Sequence, residues 1–290
     1  MPDSPVLFLA DTAPDGATTF TRADPGAAHV RVDDLGVTRG DGIFESVAVV
    51  AGTPQSLRHH LDRFTRSAAL LDLPIPDTAA WARAVTDAAA AHPPAPELLA
   101  KLVLTRGVEG GDAPTGWVHV FPAPDHGPQR TAGIDVLVLE RAYPSDVVTR
   151  APWLLQGAKT LSYALNTASL RYARSHGAHD VVFVSSDGDV LEGPNSTVLA
   201  RFADRWVTPP PELGILDGTT AGRALAWAAG RGDRTEVARL SADDLRVADA
   251  VWLLSSGRLS APVRSLDGVP RPTDAALQAE LLHHLLTVHD

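Results

Sequence analysis

Apolar positions recur along this chain with two periods. Leu57, Leu61, Phe64, Ala68 and Leu71 step by three and four, the spacing of one buried helix face, and the alanine-rich stretch 78–91 reads as a second helix. Short β-branched and apolar runs at 6–9, 29–33, 43–51, 98–105 and 117–121 predict strands, the third closed by the turn Gly52-Thr53-Pro54. Pro122-Ala123-Pro124-Asp125-His126-Gly127-Pro128 then interrupts the pattern. Its prolines are expected to exclude helix and central strand, so 122–131 reads as a linker. Beyond it, strands at 134–139, 180–185, 197–202 and 251–254 mix with helices at 163–176, 219–230 and 273–289. No steady strand–helix–strand rhythm and no internal repeat emerge. The expectation is α+β, with an N-terminal domain over 1–121 and a C-terminal domain over 132–290, rather than a doubly wound sheet.

Composition narrows the class. The 290 residues are 44% hydrophobic and 21% charged, as in ordinary globular chains. No run approaches the ~20 apolar residues of a membrane helix. The first residues lack the positive leader of a signal peptide, so a cytoplasmic location without a membrane partner is expected. Cysteine is absent, which excludes disulfides, thiolate metal sites and a cysteine nucleophile. The net charge of −10, from 35 acidic and 25 basic residues, argues against nucleic acid as a partner. An anionic small molecule must then be held by a local set of arginines, amides and hydroxyls. Among the basic residues, 23 are arginine and only Lys101 and Lys159 are lysine. In so skewed a composition a retained lysine is a candidate for amine chemistry, which a guanidinium cannot perform. Lys101 reads as a strand-edge cation.

Common signatures are missing. Gly40-Asp41-Gly42 lacks the third glycine of a dinucleotide loop, the surroundings of Lys159 lack the upstream glycine of a phosphate loop, and no nucleophile elbow occurs. His59-His60 and His283-His284 are adjacent rather than four apart, so they chelate poorly and read as surface residues; no metal site is expected.

The candidate chemistry lies elsewhere. Lys159 sits between a strand and a helix; alone it reads as an exposed lysine, in a cleft as an amine able to bond an aldehyde. Glu192 ends a short strand, as a turn carboxylate or as a group that keeps a heterocyclic nitrogen protonated. Asp217-Gly218-Thr219-Thr220 opens a helix, either with Asp217 as a simple cap or as an anion site of free amides and threonine hydroxyls. Ser255-Ser256-Gly257 supplies further donors, and Arg63 reads either as a solvated arginine or as a phosphate partner.

As an ordered set these residues resemble one family, the class IV, fold type IV, pyridoxal-phosphate enzymes. The likeness runs from Asp34-Leu35-Gly36-Val37-Thr38-Arg39-Gly40-Asp41-Gly42-Ile43-Phe44-Glu45, similar to D-R-G-x-x-[FY]-G-D-G-x-F-E, through His60-Leu61-Asp62-Arg63-Phe64 and Thr105-Arg106-Gly107. It continues through Lys159, Glu192-Gly193 and Gly218-Thr219-Thr220 to Ser255-Ser256 and Pro262-Val263. The resemblance implies a two-domain fold like that of D-amino acid aminotransferase and pyridoxal 5'-phosphate as cofactor. It implies Lys159 as Schiff-base lysine and acid/base, with Glu192 on the pyridine nitrogen. Arg63, Thr219, Thr220 and Ser256 would hold the phosphate, Tyr163 would approach the cofactor hydroxyl, and Arg106 and Arg39 would face the substrate. It also implies a homodimer. Leu35, Arg39 and Thr197 depart from the pattern, the first two in a segment that usually borders the substrate cavity. The combination around Gly40–Glu45 and Lys159–Tyr163 is most similar to 4-amino-4-deoxychorismate lyases, which release pyruvate and 4-aminobenzoate, a folate precursor. An aminotransferase acting on branched-chain or D-amino acids is the alternative, and a non-catalytic protein on the same fold a minor one.

Overall fold

The computed structural model describes residues 4–13 and 16–288. They divide into two compact units, one built from the chain through Pro124 together with Ala158–Tyr163, the other from Asp125–Gly157 and Ala164–Val288.

The first unit contains β1 (Val6–Thr12), β2 (Thr18–Ala23), the short α1 (Leu35–Thr38), β3 (Gly42–Val50), β4 (Thr53–Pro54), α2 (Leu57–Leu70), α3 (Thr78–Ala91), β5 (Glu97–Thr105) and β6 (Thr115–Pro122). Its six strands form an antiparallel sheet in the order β2-β1-β6-β5-β3-β4. Because strand side chains alternate between faces, the register sorts them cleanly. Ile43, Glu45, Val47, Ala100, Leu102, Leu104, Val118 and Val120 share one face and are fully buried beneath α2 and α3. The other face carries Phe44, Ser46, Leu99, Lys101, Trp117, His119 and Phe121, all only partly buried. Trp81 on α3 ties the covered face together, with Phe20 and Phe64 each meeting it edge-on at 5.0 Å.

The second unit contains α4 (Gly127–Ala132), β7 (Ile134–Glu140), α5 (Val147–Arg150), α6 (Ala164–Ser175), β8 (Asp180–Val184), β9 (Thr197–Phe202), β10 (Arg205–Thr208), α7 (Thr219–Gly230), β11 (Arg234–Val237), α8 (Ala242–Val247), β12 (Ala250–Ser255), β13 (Leu259–Leu266), β14 (Val269–Pro270) and α9 (Ala275–Thr287). Its sheet runs β11-β10-β9-β12-β13-β7-β8, with β14 on β13 and parallel pairing at β10/β11, β13/β7 and β7/β8. One core packs Val198, Val251 and Leu253 against Leu245 of α8; another packs Trp206 and Trp252, stacked at 5.0 Å, against α7 and α9.

Several expectations change. The 29–33 run is not a strand: Val30 and Val32 are exposed and have no partner strand, so β-branched residues alone did not make one. The 122–131 stretch is not free of secondary structure, since β6 reaches Pro122 and α4 begins at Gly127 with proline in its first turn, where a missing N–H breaks no helical bond. Lys159, expected within the C-terminal domain, groups with the first unit because its neighbours pair with β3. The terminal helix is Ala275–Thr287, and His289 lies outside the described residues. No helix among those described is long and apolar enough to cross a membrane.

Candidate active site

In the first unit, the edge of β3 anchors Lys159. The Phe44 amide donates to the Lys159 carbonyl at 3.0 Å, the Leu161 amide to the Gly42 carbonyl at 2.8 Å, and Ile43 bridges Thr160. The Lys159 amide donates to Ser67 Oγ on α2 at 3.1 Å. Backbone bonds on both sides thus fix where the side chain starts. Its Nζ lies 4.5 Å from the Phe44 ring centre and 5.9 Å from that of Tyr163, and the two rings meet edge-on at 5.3 Å. The partly buried amine therefore rests in an aromatic corner. Tyr163 immediately precedes α6 rather than opening it.

Two segments of the family-like pattern meet beneath this amine. Arg63 donates through Nε to Glu45 Oε1 at 2.6 Å and through Nη2 to Oε2 at 2.8 Å, while His60 Nδ1 lies 2.7 Å from Oε2. All three are buried, and Glu45 is fully so. Burial by itself pushes the Glu45 carboxyl up, but Arg63 and His60 outweigh it and hold the group well below the usual carboxylate range. Burial lowers His60 against the pull of Glu45, with the nearby charges of Arg63 and Lys159 adding to the fall. Arg63 is thus not a solvated arginine, and His60 is a buried partner of Glu45 rather than a surface residue. Glu45 was overlooked because an acid in an apolar strand gives no local sign of its partner eighteen residues away.

Arg106 and Arg39, for which the resemblance implies substrate-facing roles, sit in different surroundings. Arg106 is a clasp: it pairs with Asp41 at 2.6 Å and 3.2 Å and donates to the carbonyls of Leu71 and Asp72. Gly107 follows with φ of +90°, and a Cβ there would stand 2.0 Å from the Ala113 carbonyl oxygen, which explains the glycine. Arg39 is exposed at the end of α1. Lys101 is not at a strand edge. It lies in β5 between β3 and β6, opposite Ser46 and His119, with Nζ 5.2 Å from the Phe44 ring centre.

The second unit brings together a different set. Glu192 is not at a strand end; it follows the isolated bridges at Asp189 and Val190, in irregular chain held to β8 by the Phe183 amide. Its carboxylate accepts from the Leu216 amide at 3.2 Å and lies 3.8 Å from Arg141. Two residues after Leu216, Gly218 caps α7 with no side-chain cap bond, so Asp217 is not the cap. A Cβ at Gly218 would stand 2.2 Å from Thr197 Oγ1, so only glycine lets the chain pass this close to β9. Thr219 and the buried Thr220 open the first turn of a twelve-residue helix, and no acidic residue belongs to that turn. Amides at the positive end of a helix, with two hydroxyls, are a donor set suited to a phosphate. Ser256 lies in the turn after β12, partly buried.

Comparison with known proteins places this geometry in context. The model of the family described as amino-transferase class IV matches residues 42–266. A bifunctional aminodeoxychorismate lyase / D-amino acid transaminase of Mycobacterium tuberculosis is 43% identical over 271 residues, 89% of this chain and 93% of that protein. Among solved structures, a fold IV-transaminase of Curtobacterium pusillum is 48% identical, with a TM-score of 0.94 over 98% of this chain and 99% of its own. A hypothetical aminotransferase of Mycobacterium tuberculosis in its PLP-bound form is 40% identical, with a TM-score of 0.89 over 97% and 99% of the two chains.

Proposed function

Because the chain belongs to the class IV aminotransferase family, we propose that it is a pyridoxal-phosphate enzyme whose main reaction converts 4-amino-4-deoxychorismate to 4-aminobenzoate and pyruvate. Its fold is the two-unit α+β architecture of fold type IV, and pyridoxal 5'-phosphate is its cofactor. When bound, that cofactor supplies an aldehyde that links covalently to amines and a ring that accepts the charge left by proton removal.

The residues fit such a group. Lys159 provides an amine that is partly buried, anchored through its own backbone and set against the Phe44 and Tyr163 rings. Its Nζ would be the amine that holds the aldehyde, and the group that would accept the proton next to the substrate nitrogen. Glu192, held by the Leu216 amide, would be the partner of the ring nitrogen and would keep it protonated. Thr219, Thr220, Ser256 and Arg63 are the residues that would hold the phosphate, Arg63 being fixed by its two bonds to Glu45. Tyr163, packed on Phe44, would approach the cofactor hydroxyl. Formation of an aromatic product supplies much of the driving force, so the protein's share is chiefly to position a base and exclude water.

The observation that carries the lyase reading is the 43% identity to a relative named for both lyase and D-amino acid transaminase activities. The same name supports D-amino acid transamination as a second reaction at the same site. We further infer a homodimer. The half-buried sheet face opposite the one that α2 and α3 cover carries Leu9, Leu99, Trp117 and Phe121 beside Lys101 and His119, a mixed surface within the first unit that a second copy could cover.

Borohydride reduction followed by peptide mapping tests the foundation: the pyridoxyl label lands on Lys159, and Lys159→Arg abolishes turnover while keeping the charge. Incubation with aminodeoxychorismate releases pyruvate. Amino transfer from D-alanine to 2-oxoglutarate without pyruvate release from aminodeoxychorismate overturns the lyase assignment.

A further inference from the structure

We propose that Arg141 is a positioning residue for the ring-nitrogen end of the site and acts through Glu192. Its guanidinium keeps that carboxylate charged, so that a proton shared between Glu192 and the cofactor ring rests on the ring. The inference rests on the pairing of Glu192 with the ring nitrogen proposed above and names the residue that sets it.

The arrangement is local to the second unit and is built on Phe183 of β8. The Phe183 amide donates to the Glu192 carbonyl at 2.9 Å, and its carbonyl accepts from the Leu191 amide at 2.8 Å, so the segment carrying Glu192 runs along one edge of β8. Along the other edge lies β7, and Arg141, the residue that follows β7, donates its amide to the Val184 carbonyl at 2.8 Å. The Phe183 ring packs against the Arg141 guanidinium, with Cζ 5.2 Å from the ring centre. Arg141 Nη1 then stands 3.8 Å from Glu192 Oε1, while the Leu216 amide donates to Oε2 at 3.2 Å. One residue of β8 thus places both partners, Glu192 through its backbone and Arg141 through its ring.

The stem of Arg141 is fixed. The chain turns directly after it at Ala142, with φ of +63°, and is pinned by the Ser186 amide on the Tyr143 carbonyl at 2.7 Å. Ser145 adds two bonds to Asp187, from its amide at 2.9 Å and its hydroxyl at 2.7 Å. The head of the side chain is used differently from the structural arginines of this chain. Arg63 grips Glu45 with two bonds, Arg106 spans Asp41 and two carbonyls, and Arg130 donates to the carbonyls of Gly257 and Arg258. Arg141 has a buried Nε without a hydrogen-bond partner, and its closest approach to Glu192 is beyond hydrogen-bonding range. With its side chain only 14% exposed, such a guanidinium carries a desolvation cost that an apolar residue packed on Phe183 would not. What it supplies is its field. An opposite charge within about 4–6 Å favours an ionised carboxylate by roughly tenfold or more. An anion beside a fixed cation takes up a proton less readily, so a proton shared with a ring nitrogen stays on the nitrogen.

Cofactor isotopically labelled at its ring nitrogen and bound to the full-length enzyme tests this, because the nitrogen resonance separates protonated from unprotonated rings. In the wild-type protein the resonance lies in the protonated range near neutral pH. In Arg141→Met the unprotonated fraction rises about tenfold or more, whereas in Arg141→Lys, which keeps the charge, it changes less than about threefold. Only bound cofactor contributes to the signal, so partial unfolding does not imitate the effect. As a second readout, equilibrium dialysis compares pyridoxal phosphate with its analogue carrying carbon in place of the ring nitrogen. The preference for the nitrogen ring falls about tenfold in Arg141→Met and is kept in Arg141→Lys. An unmoved resonance in Arg141→Met, equal shifts in the two variants, or an equal loss of affinity for both rings overturns the proposal. Glu192→Gln separates it from the reading it rests on. If that variant moves the resonance and Arg141→Met does not, the role of Glu192 stands and that of Arg141 falls; if Glu192→Gln leaves the resonance in place, both fall.

Discussion

Glu45 with Arg63 in the first unit and Glu192 with Arg141 in the second are the same two side chains in different surroundings. The first pair is bidentate at 2.6 Å and 2.8 Å, with side chains 0% and 8% exposed and His60 as a third member. The second pair stands 3.8 Å apart with 13% and 14% exposure, one oxygen taking a backbone amide and the buried Arg141 Nε lacking a hydrogen-bond partner. A carboxylate fixed by a bidentate fork and a histidine is set for structure: its charge is locked and its lone pairs are largely committed. A carboxylate that takes a backbone amide at 3.2 Å and stands 3.8 Å from its arginine is held by that arginine far less tightly. The difference teaches that acid and base identity says little about role until the commitment of each oxygen is known.

Removing one charge from each pair breaks the comparison most sharply. Glu45→Gln leaves Arg63 buried without its counter-ion, and unfolding free energy should drop by about 3–5 kcal/mol in denaturant titration. In Glu192→Gln, by contrast, the looser pair at 3.8 Å should cost less stability than Glu45→Gln does, while kcat falls on the order of a hundredfold, the size of a lost electrostatic partner in a reaction centre. Equal stability losses in the two variants would sink the distinction. A smaller effect is expected from Gly218→Ala. The added methyl meets Thr197 at the passage between β9 and α7, so overpacking of about 1–3 kcal/mol should accompany weaker cofactor retention, read by equilibrium dialysis.

Acid titration sharpens the same contrast. His60 is lowered from its ordinary value of 6.5 in the folded chain, so the unfolded chain takes up that proton first and stability declines as pH falls below about 6.5. Glu45 is also lowered, from an ordinary 4.5, so its contribution is complete above that value and is lost as pH falls toward its folded value. Melting temperature should therefore decline in two stages on acidification. His60→Gln removes the earlier stage and Glu45→Gln the later; an unaltered profile in both variants would assign the decline to other groups.

Much of this is legible in the sequence alone. The helices 78–91 and 219–230 and the strand 197–202 keep the bounds the sequence pattern gives them, because periodic apolar faces and Gly or Pro boundaries are local properties. β13 went unread: it carries Pro262 and a register shift between Val263 and Ser265, and only β12 and β7 on either side make it a strand. The six-residue α8 depends on a capping box between Ser241 and Asp244 that no periodicity announces.

The chemistry divides along the same line. Residue identities and their order, from Gly40-Asp41-Gly42 through Lys159 to Thr219-Thr220, specify the family, since amine, acid and hydroxyl chemistry is written in side-chain type. Tertiary structure alone decided that Arg106 is spent on Asp41, that Glu45 and His60 grip Arg63, and that Lys101 meets Lys159 over one ring. Each of these depends on strands and helices tens of residues apart coming within hydrogen-bonding or ring-contact range. Sequence spacing carries no record of such distances, because they are set by pairing register and packing rather than by neighbouring residues.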